Sequence, residues 1–126
     1  MKIIVVEDDP VIRAVLKQFL TIKGHEVLEA EDGRQGLQLL TQEKPPELII
    51  TDIMMPHMNG YEMIAALKAE EHLQAIPVII ITAGKIDSEK YSLSGANEIF
   101  QKPLSLGRLL EKAEALVSAA YSESKK

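Results

Sequence analysis

The chain contains no cysteine, which excludes a disulfide framework and any metal site built on thiolates. No apolar run approaches membrane-spanning length, and only four apolar residues separate Lys2 from Glu7, too few for a signal peptide. A cytoplasmic location without a membrane partner is therefore the expectation. A basic excess is also missing. The formal net charge is −5, with Lys and Arg scattered along the chain, which argues against direct nucleic-acid binding, where a basic face is needed. Partners are expected to be proteins, ions or small ligands. At 126 residues and 46% hydrophobic, the chain has enough apolar material for one core and no room for a second domain.

What the sequence does have is three apolar runs that end in polar residues. Ile3-Ile4-Val5-Val6 leads into Glu7-Asp8-Asp9, Leu48-Ile49-Ile50-Thr51 into Asp52, and Val78-Ile79-Ile80-Ile81 into Thr82-Ala83-Gly84. Four uncharged residues in a row suit a strand buried on both faces of a parallel sheet. Residues 25–30 and 98–101 are more mixed and predict edge strands. Helical patterns separate them. Asp9 can cap a first helix with Pro10 at its first position, and Val11, Ile12, Val15, Leu16, Phe19 and Leu20 recur at helical spacing until Lys23-Gly24 closes it. Asp32-Gly33 opens a second helix with Leu37, Leu39 and Leu40, which Lys44-Pro45-Pro46 ends. Asn59 and Glu62 form a capping box before Met63, Ile64 and Leu67. Residues 85–94 carry the weakest pattern, since Tyr91 and Leu93 cannot share a helical face, and predict a short, labile helix. Ser105 can cap the last helix, whose stripe runs through Leu106, Leu109, Leu110, Ala113, Leu116, Val117 and Ala120. The expected domain spans residues 1–120, with 121–126 a fraying tail.

Five strand–helix alternations with short connections predict an α/β fold: a three-layer, doubly wound (βα)5 flavodoxin-like domain with a parallel five-stranded sheet in the order 2-1-3-4-5. That order places the first and third strands side by side at the switch point. Glu7, Asp8 and Asp52 then meet in one crevice, with Thr82 and Lys102 arriving from the next two strand ends. Alone, Asp52 reads as a turn-opening acid; at a sheet's C-terminal edge it is a candidate nucleophile. Close carboxylates repel by roughly 4 kcal/mol per pair at an effective dielectric of about 20, so a cation must hold them together. Lys102 and a divalent ion are the candidates, and an oxygen-only donor set suits Mg2+. A phosphoryl group on Asp52 would complete the site, with the Thr82 hydroxyl, the Lys102 ammonium and the backbone N–H groups after Asp52 and Thr82 as donors.

These stretches resemble the receiver domains of bacterial two-component response regulators, of the single-domain, chemotaxis-regulator-like kind. The marks are Val5-Val6-Glu7-Asp8-Asp9, Asp52-Ile53-Met54-Met55-Pro56-His57-Met58-Asn59-Gly60, Thr82-Ala83, and Gly95-Ala96 before Lys102-Pro103. The resemblance implies that Asp52 accepts a phosphoryl group from a histidine kinase or phosphotransfer protein, as a switch and not as an enzyme acting on other substrates. It implies Mg2+ held by Asp8 directly, by Glu7 through water, by Asp52, and by the backbone carbonyl of Met54. Thr82, Ala83 and Lys102 would bind the phosphate and carry the switch, and the peptide before Pro103 would be cis. A downstream protein target and a monomer or weak dimer are expected, with output by protein docking since no DNA-binding domain or enzyme follows Ala120. Ile99 stands where the family usually carries an aromatic switch residue, and the segment from Thr82 to Lys102 is about two residues short.

Asp9 is read as a helix cap, because the family's acid pair maps to Glu7 and Asp8. His57 is read as a solvated loop residue, His25 and His72 lack metal-ligand spacing, and Met54, Met55, Met58 and Met63 as loop packing. A flavodoxin would need a hydroxyl-rich phosphate loop where Glu7-Asp8-Asp9 stands. A haloacid dehalogenase would need a second Asp at Met54, and a cobalamin module an Asp at Met55. The alternative that survives is a receiver fold used as a phosphorylation-independent docking surface.

Overall fold

The computed structural model describes residues 1–42 and 44–124. The elements follow in strict alternation: β1 (Lys2–Val6), α1 (Pro10–Ile22), β2 (Glu26–Ala30), α2 (Gly33–Gln42), β3 (Leu48–Asp52), α3 (Gly60–Lys68), β4 (Val78–Thr82), α4 (Ser88–Ser94), β5 (Glu98–Gln101) and α5 (Leu106–Ser124). The strands form one sheet in the order β2-β1-β3-β4-β5, and every pairing is parallel. The pairs Val6 with Thr51, Asp52 with Ile81, and Thr82 with Gln101 bring the strand ends to one edge.

Alternation along the strands divides the core into two layers. Ile4, Val6, Ile49, Val78 and Ile80 pack with Met63, Ile64 and Leu67 of α3 and Leu40 of α2. Ile3, Val5, Leu48, Ile50, Ile79 and Ile81 pack with Leu16 and Leu20 of α1 and Leu109 and Ala113 of α5. Each fully buried Ile or Leu contributes roughly 1.5–3 kcal/mol relative to exposure. β3 and β4 are buried throughout, whereas β2 and β5 are only partly covered, as edge strands should be.

Local chemistry sets the helix starts. Asp9 Oδ1 accepts from the N–H groups of Val11 and Ile12 at 2.9 and 3.3 Å, with Pro10 in the first turn. Asn59 and Glu62 form the reciprocal capping box of α3, with bonds of 2.8 and 3.0 Å. Gly24, at φ 94°, makes the left-handed turn after α1.

Two features depart from the sequence pattern, the exposure of two valines on α1 and the length of α5, while the short α4 follows it. Val11 and Val15 are 70% and 46% exposed, because α1 turns its Leu16 and Leu20 side to the sheet; the two valines line an apolar groove with Pro103, Leu104 and Leu106. α4 has seven residues, none of them buried, and Leu93 is 78% exposed. α5 continues to Ser124, beyond the Ala120 at which its apolar stripe ends. Of the stretch 121–126 expected to fray, residues 121–124 are thus helical, and Lys125 and Lys126 lie outside the described residues. Among the described residues no helix is long and apolar enough to cross a membrane.

Candidate functional site

Glu7 is placed by continuation of the sheet. Its N–H donates to the Ala30 carbonyl at 3.0 Å, carrying the β1 ladder one residue further, and its side chain is fully buried. Glu7 Oε1 accepts from the Asp9 N–H at 3.1 Å, and its carbonyl accepts from Arg13 Nη1 at 2.7 Å. Asp8, next in the chain, is exposed. Asp52 ends β3 and is buried, with Oδ1 accepting from the Ile53 N–H at 2.7 Å. One carboxylate oxygen from each of Glu7, Asp8 and Asp52 lies within 4.8 Å of the others.

Lys102 supplies the cation that this arrangement demands. Its N–H donates to the Thr82 carbonyl at 2.8 Å, fixing its backbone, and the peptide to Pro103 is cis. Its Nζ lies 3.0 Å from Glu7 Oε2 and 3.2 Å from Asp52 Oδ2. The contact with Glu7 is an ion pair at that distance, yet Oε2 is buried without an aligned hydrogen bond. Burial, and then the charge of Asp52, push the Glu7 carboxyl up from 4.5 to about 7, although Lys102 and the Asp9 N–H pull the other way. For Lys102, burial opposes the charged form, but bonding to Glu7 and the two carboxylate charges outweigh it and hold the ammonium above its ordinary value. Glu7, Asp52 and Lys102 therefore form one charge cluster, with the ammonium between the two carboxylates.

The remaining predicted residues differ in place and burial. Thr82 is buried at the end of β4, with Oγ1 accepting from the Gly84 N–H at 3.2 Å, and Ala83 is exposed beside it. Met54 lies in the loop after β3 with its side chain 74% exposed. Asp9 caps α1, as its position suggested. Ile99 is half-buried against the layer that contains α3, together with Tyr91 and Ala96, while Phe100 points to the α1 and α5 layer.

Three contributors were not legible in advance. Arg13 holds the Glu7 carbonyl and also lies 3.6 Å from Glu29 on β2. Its place one turn after the Asp9 cap was the available signal. Gln101 donates from Nε2 to the Gly84 carbonyl at 3.2 Å, tying β5 to the loop after Thr82. Gly60 donates to the Ile53 carbonyl at 2.8 Å, and a Cβ there would stand 2.2 Å from the Asp52 carbonyl oxygen. Only glycine fits so close to the backbone of β3.

Comparison with known proteins agrees with this geometry. Residues 3–114 match the sequence model of the response regulator receiver domain. A chemotaxis protein CheY homolog of Campylobacter jejuni is 36% identical over 126 residues, covering 98% of this chain and 97% of that protein. Protein PilH of Pseudomonas aeruginosa is 34% identical over 119 residues, covering 93% and 98%. The crystal structure of a CheY-like response regulator receiver domain protein from Methanospirillum hungatei is similar with a TM-score of 0.87 at 29% identity, covering 97% of both chains.

Proposed function

The chain belongs to the response-regulator receiver family, and from that premise we propose that Asp52 accepts a phosphoryl group from a histidine kinase or phosphotransfer protein and thereby switches a protein-docking surface. The observation that carries this reading is the Lys102 ammonium shared between Glu7 and Asp52, 3.0 and 3.2 Å away, at the C-terminal edge of the sheet. Asp52 is held at both oxygens, by Ile53 N–H and by Lys102, which orients a carboxylate for attack on phosphorus. One oxygen–phosphorus bond forms as the donor's phosphorus–nitrogen bond breaks. Lys102, the Thr82 hydroxyl and nearby backbone N–H groups are suited to balance the charge on the transferred group.

The donor set fits a hard divalent cation. It is all oxygen, its three acids lie together, and one buried Glu7 oxygen has no hydrogen bond. Glu7, Asp8 and Asp52 would hold Mg2+, with the Met54 carbonyl as a further ligand. When bound, Mg2+ would offset negative charge on the phosphoryl oxygens. We place the protein in the cytoplasm as a monomer or weak dimer. Its output would be docking to a downstream protein and not to nucleic acid, in keeping with the net charge of −5.

Intact-mass measurement after incubation with acetyl phosphate or phosphoramidate and Mg2+ tests the reading. One added phosphoryl group is expected on the wild-type chain and none on Asp52→Asn. Labelling of the variant would overturn the acceptor assignment, and no labelling of either would favour the phosphorylation-independent docking module.

A further inference from the structure

Among the described residues, the Tyr61 hydroxyl and Glu7 Oε2 are the buried side-chain oxygens without a hydrogen-bond partner. A shielded hydroxyl is costly to leave unpaired, so its survival at the edge of an open groove calls for a physical reason. Tyr61 is rigidly mounted. It follows Gly60, whose backbone is pressed against Asp52, and its ring packs on the core layer containing α3.

The nearby acid whose charge acts on it, Asp87, is mounted less firmly, as the cap of a helix with no buried residue. Burial first, and then the charge of Asp87, hold the Tyr61 phenol above its ordinary pKa, so it stays a hydrogen-bond donor. Asp87 uses Oδ1 to accept from the Lys90 N–H at 3.1 Å as the cap of α4, which leaves its second carboxylate oxygen. α4 has no buried residue, and an open groove of about 480 Å3, lined by Tyr61, Ala65, Lys90 and Leu93 among others, runs between α3 and α4. The helix has space to move and little packing to prevent it. The loop that leads to Asp87 begins at Thr82, whose Oγ1 is engaged by Gly84 N–H.

We propose that Tyr61 is a positioning residue for the response to phosphorylation: when the loop after Thr82 rearranges, its hydroxyl donates to the second carboxylate oxygen of Asp87 and holds α4 against α3. The inference rests on Asp52 being the phosphoacceptor. A bond made in only one of two arrangements is what shifts the balance between them, and a carboxylate acceptor makes it a strong one.

The test uses the full chain with Mg2+ and beryllofluoride as phosphoryl mimic, in the wild type, Tyr61→Phe, Asp87→Ser and the double variant. Serine keeps the helix cap but is too short to reach the phenol. Mimic affinity, backbone amide shifts across residues 88–94, and the urea midpoint without mimic are the readouts. Each single variant should lose about tenfold in mimic affinity and most of the α4 shifts, and the double variant should lose no more than either. The urea midpoint of Tyr61→Phe should be unchanged or higher, because an unpaired shielded hydroxyl has been removed. A wild-type response that Tyr61→Phe leaves intact would overturn this proposal alone, as would a loss of stability equal with and without mimic. A wild-type chain that ignores the mimic would overturn the phosphoacceptor reading along with it.

Discussion

The two halves of the sheet's C-terminal edge are built to different standards. At the β1–β3 side, Glu7 and Asp52 are buried on strand ends, and Lys102, Arg13 and backbone N–H groups hold them. At the β4–β5 side, residues 83–90 are all exposed, α4 buries no residue, and the four residues of β5 are no more than half-buried. On the proposed function, the contrast follows from what each half would have to do. Charge chemistry needs groups fixed within a fraction of an ångström before reaction, whereas an element that reports a modification must have two positions of similar energy. Packing both halves equally well would sacrifice one duty.

Glycine substitutions should break the symmetry most visibly. Gly60→Ala forces a methyl to within 2.2 Å of the Asp52 carbonyl oxygen, and a loss of about 3 kcal/mol or more is expected in urea denaturation. Gly84→Ala, whose Cβ would meet nothing nearer than Thr82 Oγ1 at 4.0 Å, should stay within about 0.5 kcal/mol. Equal losses would mean that the two halves are equally constrained.

The next effect is on pH dependence. Burial and Asp52 raise the folded Glu7 carboxyl from 4.5 to about 7, so the native state holds this proton more tightly than the unfolded chain does. The ionisation penalty is absent below about 4.5, grows as pH rises towards about 7, and is complete above it. Metal-free Glu7→Gln should therefore match the wild type near pH 4 and exceed its stability near pH 8 by about 2 kcal/mol, since Lys102 keeps Asp52 as a partner. Added Mg2+ should reverse that order near pH 8. No gain for the metal-free variant would show that Lys102 already neutralises Glu7 in full.

Smaller effects sharpen the division within the acidic loop. Asp8→Asn should weaken Mg2+ binding, followed by titration calorimetry, by about tenfold, whereas Asp9→Asn should change it little, because Asn caps a helix about as well as Asp. Equal loss would remove the distinction between ligand and cap. The smallest readout is spectroscopic. With a phosphoryl mimic bound, backbone amide shifts across residues 83–93 should exceed those across residues 99–101, and the reverse would make β5 the reporting element.

The meeting of Glu7 and Asp52 could be read in advance because unbroken apolar runs mark buried parallel strands, and a polar residue at the end of such a run has only the sheet edge to occupy; Lys102 follows the mixed edge strand 98–101, and its place came from the strand order. Helix faces were less legible. The spacing of Val11, Ile12, Val15, Leu16, Phe19 and Leu20 describes a stripe wider than the sheet covers, and periodicity does not say which margin is left outside. Arg13 and Gln101 escaped notice because their partners, the Glu7 and Gly84 carbonyls, are backbone atoms brought near by the fold. Gly60 stands among the marks of the resemblance, but its close approach to the Asp52 carbonyl becomes evident only once the loop is closed.

The alternation along β3 also bears on insertions and deletions. Asp52 continues the side of the sheet taken by Leu48 and Ile50, Glu7 that of Ile3 and Val5, and Lys102 that of Phe100, all in the layer with α1 and α5. Thr82 continues Val78 and Ile80, on the opposite side. A methyl trimmed from Ile49 is a local loss of packing, but one residue deleted inside residues 48–51 exchanges inside for inside while reversing the face of every residue on one side of the gap. The Asp52 carboxylate would then leave the side it shares with Lys102 although its own codon is untouched. Length changes should accordingly be confined to connections such as residues 69–76, where an added residue leaves the facing of β3 as it is.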